Sequence, residues 1–220
     1  MEIQELFMYW ADQRAAALYR EKDLSAEDAR RAPGSGSRQA RKDDWQVSRA
    51  LLREARHAMA PGAALSLSHS DGHAVCAQAP AGWRLGADLE RMRARDVLRL
   101  ADWICSPDEA AALAALDGDA QRERFYLFWT LKEAFIKAAG LDFPADMASV
   151  GLAPDARGGW RLNAPPGEWR ACSWRVGDAW MASMVWLAPS DNAMSPQWRA
   201  ATACLLPPVT LIGHWTSAGE

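Results

Sequence analysis

The stretch Phe125–Gly140, FYLFWTLKEAFIKAAG, constrains the fold more than any other part of the chain. At 100° per residue, Phe125, Phe128, Trp129, Phe135, Ile136 and Ala139 fall on one stripe, so the segment is expected to be a helix laid against a core. Lys132 falls inside that stripe, and an ammonium so placed requires an anion close by. Glu133 and Lys137, one turn apart beside Tyr126 and Thr130, sit on its shoulder. They face either solvent, as an ion pair worth about a few tenths of a kcal/mol, or a polar cleft. Gly140 stands where a left-handed cap ends a helix.

At 220 residues the chain is long enough for one large domain or two small ones. A formal net charge of -3 gives no global attraction to nucleic acid or an anionic membrane, so neither is expected as a partner. Phosphate binding would need a local basic cluster. Cys76, Cys105, Cys172 and Cys204 are far apart with no C-x-x-C pair, which points to neither zinc nor a disulfide framework. The N-terminal MEIQELFMYWADQR lacks the basic-then-apolar plan of a secretory signal, and no run approaches membrane-spanning length. A cytoplasmic setting is the default expectation.

Ile3, Leu6, Phe7, Trp10, Ala17 and Leu18 repeat with helical spacing, which predicts an opening amphipathic helix ending near Glu21. Arg30–Asp44 reads as a mobile loop whose basic residues are either solvated or hold a phosphate. Asp43 or Asp44 would cap a helix reaching roughly Met59, with Val47, Leu51, Ala55 and Ala58 inward and Arg49 and Arg53 sharing one face. From Ala64 the period changes to two. LSLSHS, the turn Asp71-Gly72 and HAVCAQA form a hairpin, with His69 at its mouth.

Trp83–Glu90, WRLGADLE, reads as a strand with Leu85, Ala87 and Leu89 on one face and Gly86, Asp88 and Glu90 on the other. Two carboxylates then share a face with Cα atoms ~7 Å apart by the pleat repeat. They form either a solvated edge or a hard-metal site, and oxygen-only ligands select Mg²⁺ or Mn²⁺ over zinc. Ser106-Pro107-Asp108-Glu109 is a helix start. Arg91, Arg93, Arg95 and Arg99 are either a solvated face or a dock for an acidic partner. Beyond Gly140, WRACSWRV, Gly177-Asp178 and AWMASMVWL form a second hairpin, whose tryptophans are read as sheet packing. No repeat is visible at the residue level, and the stretch from Ser190 to Glu220 has no functional reading.

Taken in order, SLSHS at 66–70, GADLE at 86–90 and FWTLKEAFIKAAG at 128–140 resemble the 4′-phosphopantetheinyl transferases of the larger, single-chain type. The ordered triple with W-x-x-K-E-x-x-x-K is specific, and it covers the chain best from about Leu51 to Gly140. Ala87 stands where the family has a branched residue, and the family's Gly-Lys-Pro segment has no counterpart beyond Pro61-Gly62.

The resemblance implies an α+β fold of two similar halves, each a small antiparallel sheet on a long helix, with the active site in the cleft between them. On that reading 1–85 form the coenzyme A-binding half, 86–190 the half with the metal site, and 191–220 an extension. It implies transfer of the 4′-phosphopantetheine arm from coenzyme A to a serine of an acyl or peptidyl carrier protein, with Mg²⁺ as metal. The alternative is a degenerate homologue that binds without turnover. Asp88, Glu90 and Glu133 match the family's metal-binding acids, and Glu133 and Lys137 are the catalytic candidates. Ser68, His69, Lys132 and Lys137 match residues that hold the coenzyme's phosphates, with Lys42 and Arg49 as added basic candidates beside Arg38 and Arg41. Both halves of the cleft lie in one chain, so a monomer is expected.

Overall fold

The computed structural model describes residues 5–34, 36–58, 60–189 and 194–217. The chain opens with a strand, β1 (Phe7–Ala11), and not with the helix that its spacing predicts. Every residue of that strand is buried, with Met8 and Trp10 in one core and Phe7, Tyr9 and Ala11 in another. A strand covered on both faces carries a continuous apolar run, which mimics helical periodicity over so short a stretch. Two short 3₁₀ helices follow at Gln13–Leu18 and Glu21–Asp23, where Ala17 and Leu18 fall. Ile3 lies outside the described residues.

The expected loop at 30–44 is largely helical. Helix α1 (Ala26–Arg31) is capped by Ser25, and α2 (Gln39–His57) begins before either predicted capping aspartate. Both are engaged elsewhere: Asp43 accepts from Gln39 at 2.7 Å, and Asp44 accepts the backbone N–H of Gly72. Met59, the predicted end, lies outside the described residues. The hairpin of β2 (Ala63–Ser70) and β3 (His73–Ala81) follows, then β4 (Arg84–Arg91).

Helices α3 (Val97–Ile104) and α4 (Pro107–Ala114) precede the long α5 (Gly118–Ala139). Ser106 and Glu109 form a reciprocal capping box on α4, and Gly140 ends α5 in the left-handed conformation, both as the residues predict. A small ribbon of β5 (Gly151–Pro154) and β6 (Trp160–Asn163) leads to the hairpin of β7 (Trp169–Val176) and β8 (Trp180–Leu187). The described tail adds β9 (Gln197–Ala200) and β10 (Val209–Thr216).

Two β-α-β-β units repeat in this order. In the first, β1, α2, β2 and β3 give the sheet order β2-β3-β1; in the second, β4, α5, β7 and β8 give β7-β8-β4. The repeat lives in topology, which explains why residue-level comparison misses it. The tail spans both halves, with β9 parallel to β1 in the first sheet and β10 antiparallel to β7 in the second.

Alternation along the strands fixes the layers. Trp10, Val75 and Ala77 of the first sheet share a core with Leu85, Ala87, Leu89, Trp174 and Trp186 of the second. The opposite face of the first sheet, through Tyr9 and Cys76, packs on Val47, Leu51 and Ala55 of α2. The opposite face of the second packs on Phe125, Phe128 and Phe135 of α5, through Trp169, Ala171 and Val185. The helices are thus outermost, with two sheets between them. Gly86 lies on the α5 face of β4, and a Cβ there would stand 1.9 Å from the carbonyl oxygen of Ala134. Its missing side chain lets helix and strand touch.

Candidate active site

Because Gly86 faces α5, so do the residues at the same strand period, Asp88 and Glu90. Close packing of α5 on this strand carries Lys137 across to them. Its ammonium donates to the carbonyl of Ala87 at 3.0 Å and to Asp88 Oδ1 at 2.8 Å. Asp88 is buried, and the hydroxyl of Ser68 donates to the same Oδ1 at 2.7 Å. Asp88 Oδ2 is also buried and has no hydrogen-bond partner.

The neighbouring acids feel this cluster. Burial, reinforced by the charge of Asp88 and by that of Glu133, pushes the Glu90 carboxyl up to about 7, against the lowering effect of the Ser70 hydroxyl. Glu133 is likewise raised, first by burial and then by Asp88, while Lys137 opposes the shift. Three carboxyls therefore share one electrostatic neighbourhood with a single ammonium among them, and Glu90 and Glu133 resist losing their protons. Among the described residues, no three His, Cys, Asp or Glu side chains already form a ligand set for a metal ion.

The remaining predicted site residues divide. Ser68 points at Asp88, so its hydroxyl is engaged by a carboxylate of the cluster. His69, on the other face of β2, is exposed at its edge, yet the surrounding protein displaces enough water to lower its pKa, with Asp44 opposing the shift and Arg49 adding to it. Arg49 stacks over Trp45 at 4.1 Å and pairs with Asp28 at 3.1 Å. It lines a cavity of about 680 Å³ with Arg20, Arg53 and Arg56. Lys42 lines a separate pocket of about 200 Å³ with Tyr19 and Trp45. Arg49 and Lys42 belong to α2, while His69 also feels Lys137 and Asp88 of the cluster.

Lys132 is not brought to the cluster at all. It is fully buried beneath α5, bound to Glu109 at 2.7 Å and donating to the carbonyls of Met147 at 2.8 Å and Val150 at 2.5 Å. The anion that its place in the apolar stripe demands is an internal carboxylate, and all three ammonium protons are used. This corrects the expectation that it contacts a phosphate. Sequence reasoning also missed Ser70, which donates to Glu90 at 3.1 Å, and Asp71, which binds the guanidinium groups of Arg91 and Arg93. The alternating serines of SLSHS were the available signal.

Residues 84–185, which contain every member of the carboxyl–ammonium cluster, match the profile of the 4′-phosphopantetheinyl transferase superfamily. The match takes in just under half of the chain. A 4′-phosphopantetheinyl transferase from Bacillus subtilis is 36% identical over 121 residues, covering 54% of this chain and 51% of that protein. The transferase Sfp of Bacillus subtilis strain 168 is 36% identical over 101 residues, covering 44% and 43%. HetI from a Nostoc species is 30% identical over 135 residues, covering 61% and 50%. The matches thus span about half the length of these relatives. Among solved structures, a holo-(acyl-carrier-protein) synthase from Bacillus anthracis, in complex with CoA, overlaps 47% of this chain and 93% of its own at 20% identity. The TM-score is 0.40.

Proposed function

We propose that the protein transfers the 4′-phosphopantetheine arm of coenzyme A to a serine of an acyl or peptidyl carrier protein, releasing 3′,5′-ADP, and that it does so as a cytoplasmic monomer. The observation that carries this reading is the meeting of β4 and α5 across Gly86, which gathers Asp88, Glu90, Glu133 and Lys137 at the seam between the two halves.

The residues fit a hard divalent cation. The donors are all carboxylate oxygens, Asp88 Oδ2 is buried without a partner, and burial, followed by repulsion from Asp88, raises Glu90 and Glu133. Asp88, Glu90 and Glu133 would hold Mg²⁺, which supplies charge withdrawal from a pyrophosphate. Manganese would substitute. A carboxylate whose pKa is raised by burial is a better proton acceptor than an ordinary one, so Glu133 is assigned to accept the proton of the attacking serine. Lys137, held by Asp88 and the backbone of β4, lies where negative charge on a departing phosphate would gather. Both act by fixed position more than by covalent chemistry. His69 and Arg49, coupled electrostatically on the α2 side, are assigned to the nucleotide end of the coenzyme.

Mass spectrometry of an apo carrier protein incubated with coenzyme A, Mg²⁺ and this chain tests the reading. A mass gain matching the pantetheine arm, abolished by Glu133→Gln, is the expected result. Coenzyme A binding with no labelling would instead support the degenerate homologue.

A further inference from the structure

The two sheets meet edge to edge where β2 runs beside β4, and these strands belong to different sheets with no backbone ladder between them. Side chains join them instead. Ser66 Oγ accepts the backbone N–H of Ala87 at 2.9 Å, Ser68 Oγ donates to Asp88 at 2.7 Å, and Ser70 Oγ donates to Glu90 Oε2 at 3.1 Å. The period of two along β2 puts all three hydroxyls on the side facing β4.

The last of these serines is itself held from several directions. Asp71, the next residue, binds Arg93 at 2.5 Å and also Arg91, so the β2–β3 turn is fastened to the chain immediately after Glu90. The turn is tied to α2 as well, through Gly72 N–H and Asp44. Asp88 is fixed by both Ser68 and Lys137, whereas Glu90 accepts a hydrogen bond from Ser70. A hydroxyl donating to one carboxylate oxygen leaves the other oxygen and the remaining lone pair for a cation, and it sets the plane in which they point.

We infer that Ser70 is a positioning residue: it aims the carboxyl of Glu90, contributed by the second half, from a turn anchored in the first, so that a divalent cation is bound across the seam. This rests on the metal reading proposed above. Outer-shell partners of this kind change metal affinity by about 10–100-fold when removed.

The test measures Mn²⁺ affinity of the free protein by electron paramagnetic resonance titration, without substrate or turnover. Ser70→Ala is expected to weaken Mn²⁺ binding by about 10–100-fold, and Ser70→Thr, which keeps the hydroxyl, to restore it to within about threefold of the unaltered protein. In parallel, the Mg²⁺ concentration for half-maximal pantetheine transfer should rise in Ser70→Ala while the KM for coenzyme A stays constant. A role in folding alone would not produce that split. Ser70→Cys, similar in size but a weak donor, should behave like Ser70→Ala, so a poorly folding alanine variant leaves the question decidable. Unchanged Mn²⁺ affinity in Ser70→Ala, with binding lost in Glu90→Gln, overturns the inference and leaves the metal site standing. Unchanged affinity in Glu90→Gln overturns the metal reading itself.

Discussion

Lys132 Nζ lies 2.7 Å from Glu109 Oε2, and neither side chain exposes any surface. Glu109 also accepts the N–H groups of Ser106 and Leu152, each at 2.9 Å, so one carboxylate closes the α4 cap, the start of β5 and the underside of α5 together. Removing either partner leaves an uncompensated buried charge, which costs about 3–5 kcal/mol. Lys132→Met and Glu109→Gln should each lower the urea unfolding midpoint sharply, and Lys132→Met with Glu109→Leu should recover much of the loss. The KM for coenzyme A should be unchanged in whatever fraction of Lys132→Met remains folded. A raised KM with unaltered stability would return Lys132 to the substrate.

Gly86→Ala probes the contact that assembles the site. A methyl group 1.9 Å from the Ala134 carbonyl and 2.7 Å from the Ala138 nitrogen meets backbone, which cannot rotate aside. Overpacking of this kind costs about 1–3 kcal/mol. Strand and helix must separate, so Lys137 loses its reach to Asp88. Pantetheine transfer should fall more steeply than thermal stability, compared with a surface Gly→Ala control such as Gly36→Ala, where nothing lies within 4 Å.

How much of this the sequence displays depends on whether the cause is local. The cap at Ser106–Glu109, the Gly140 terminus, the two hairpins and the shared face of Asp88 and Glu90 are set within a few residues, and the structure has them where the residues place them. The opening strand was illegible because its two faces are covered by α2 and the second sheet and its edges are paired by β3 and β9, all of them beyond its own sequence window. Asp44 read as a helix cap because its partner, the β2–β3 turn, is also a tertiary matter, whereas Asp43 bonds Gln39 one turn earlier in a helix that starts sooner than its own signals announce. Lys132 shows both sides of the distinction. The stripe announces that it needs an anion, while Glu109 advertises only its local role in a capping box.

Asp12 gives the acid limb of stability a specific cause. Hydrogen bonds from Arg14, side chain foremost and backbone in addition, hold its carboxyl down at about 2. A folded-state pKa below the unfolded value stabilises the fold above the unfolded pKa, and that contribution disappears as pH falls through the folded one. Chemical-denaturation midpoints should therefore decline between about pH 4 and pH 2 with a component absent from Asp12→Asn. Arg14 is 52% exposed, so salt should weaken this component.

Glu90 sets the opposite slope and links it to the cation. With no ion bound, its carboxyl is raised by burial and by Asp88 to about 7, so the folded state retains a proton that the unfolded chain releases near its ordinary value. That contribution to stability is complete below the unfolded pKa and is lost as pH rises through the folded one. A divalent cation requires the ionised form and must displace the proton below neutrality. Mn²⁺ affinity should accordingly rise about tenfold per pH unit up to roughly pH 7 and flatten above it, if this is the one proton displaced. The ion should stabilise the protein most on the alkaline side, where ionised Glu90 is otherwise a liability. Titrations at pH 6, 7 and 8 check the slope. Glu90→Gln should bind weakly and without that dependence, whereas a dependence that survives the substitution would assign the displaced proton to Glu133.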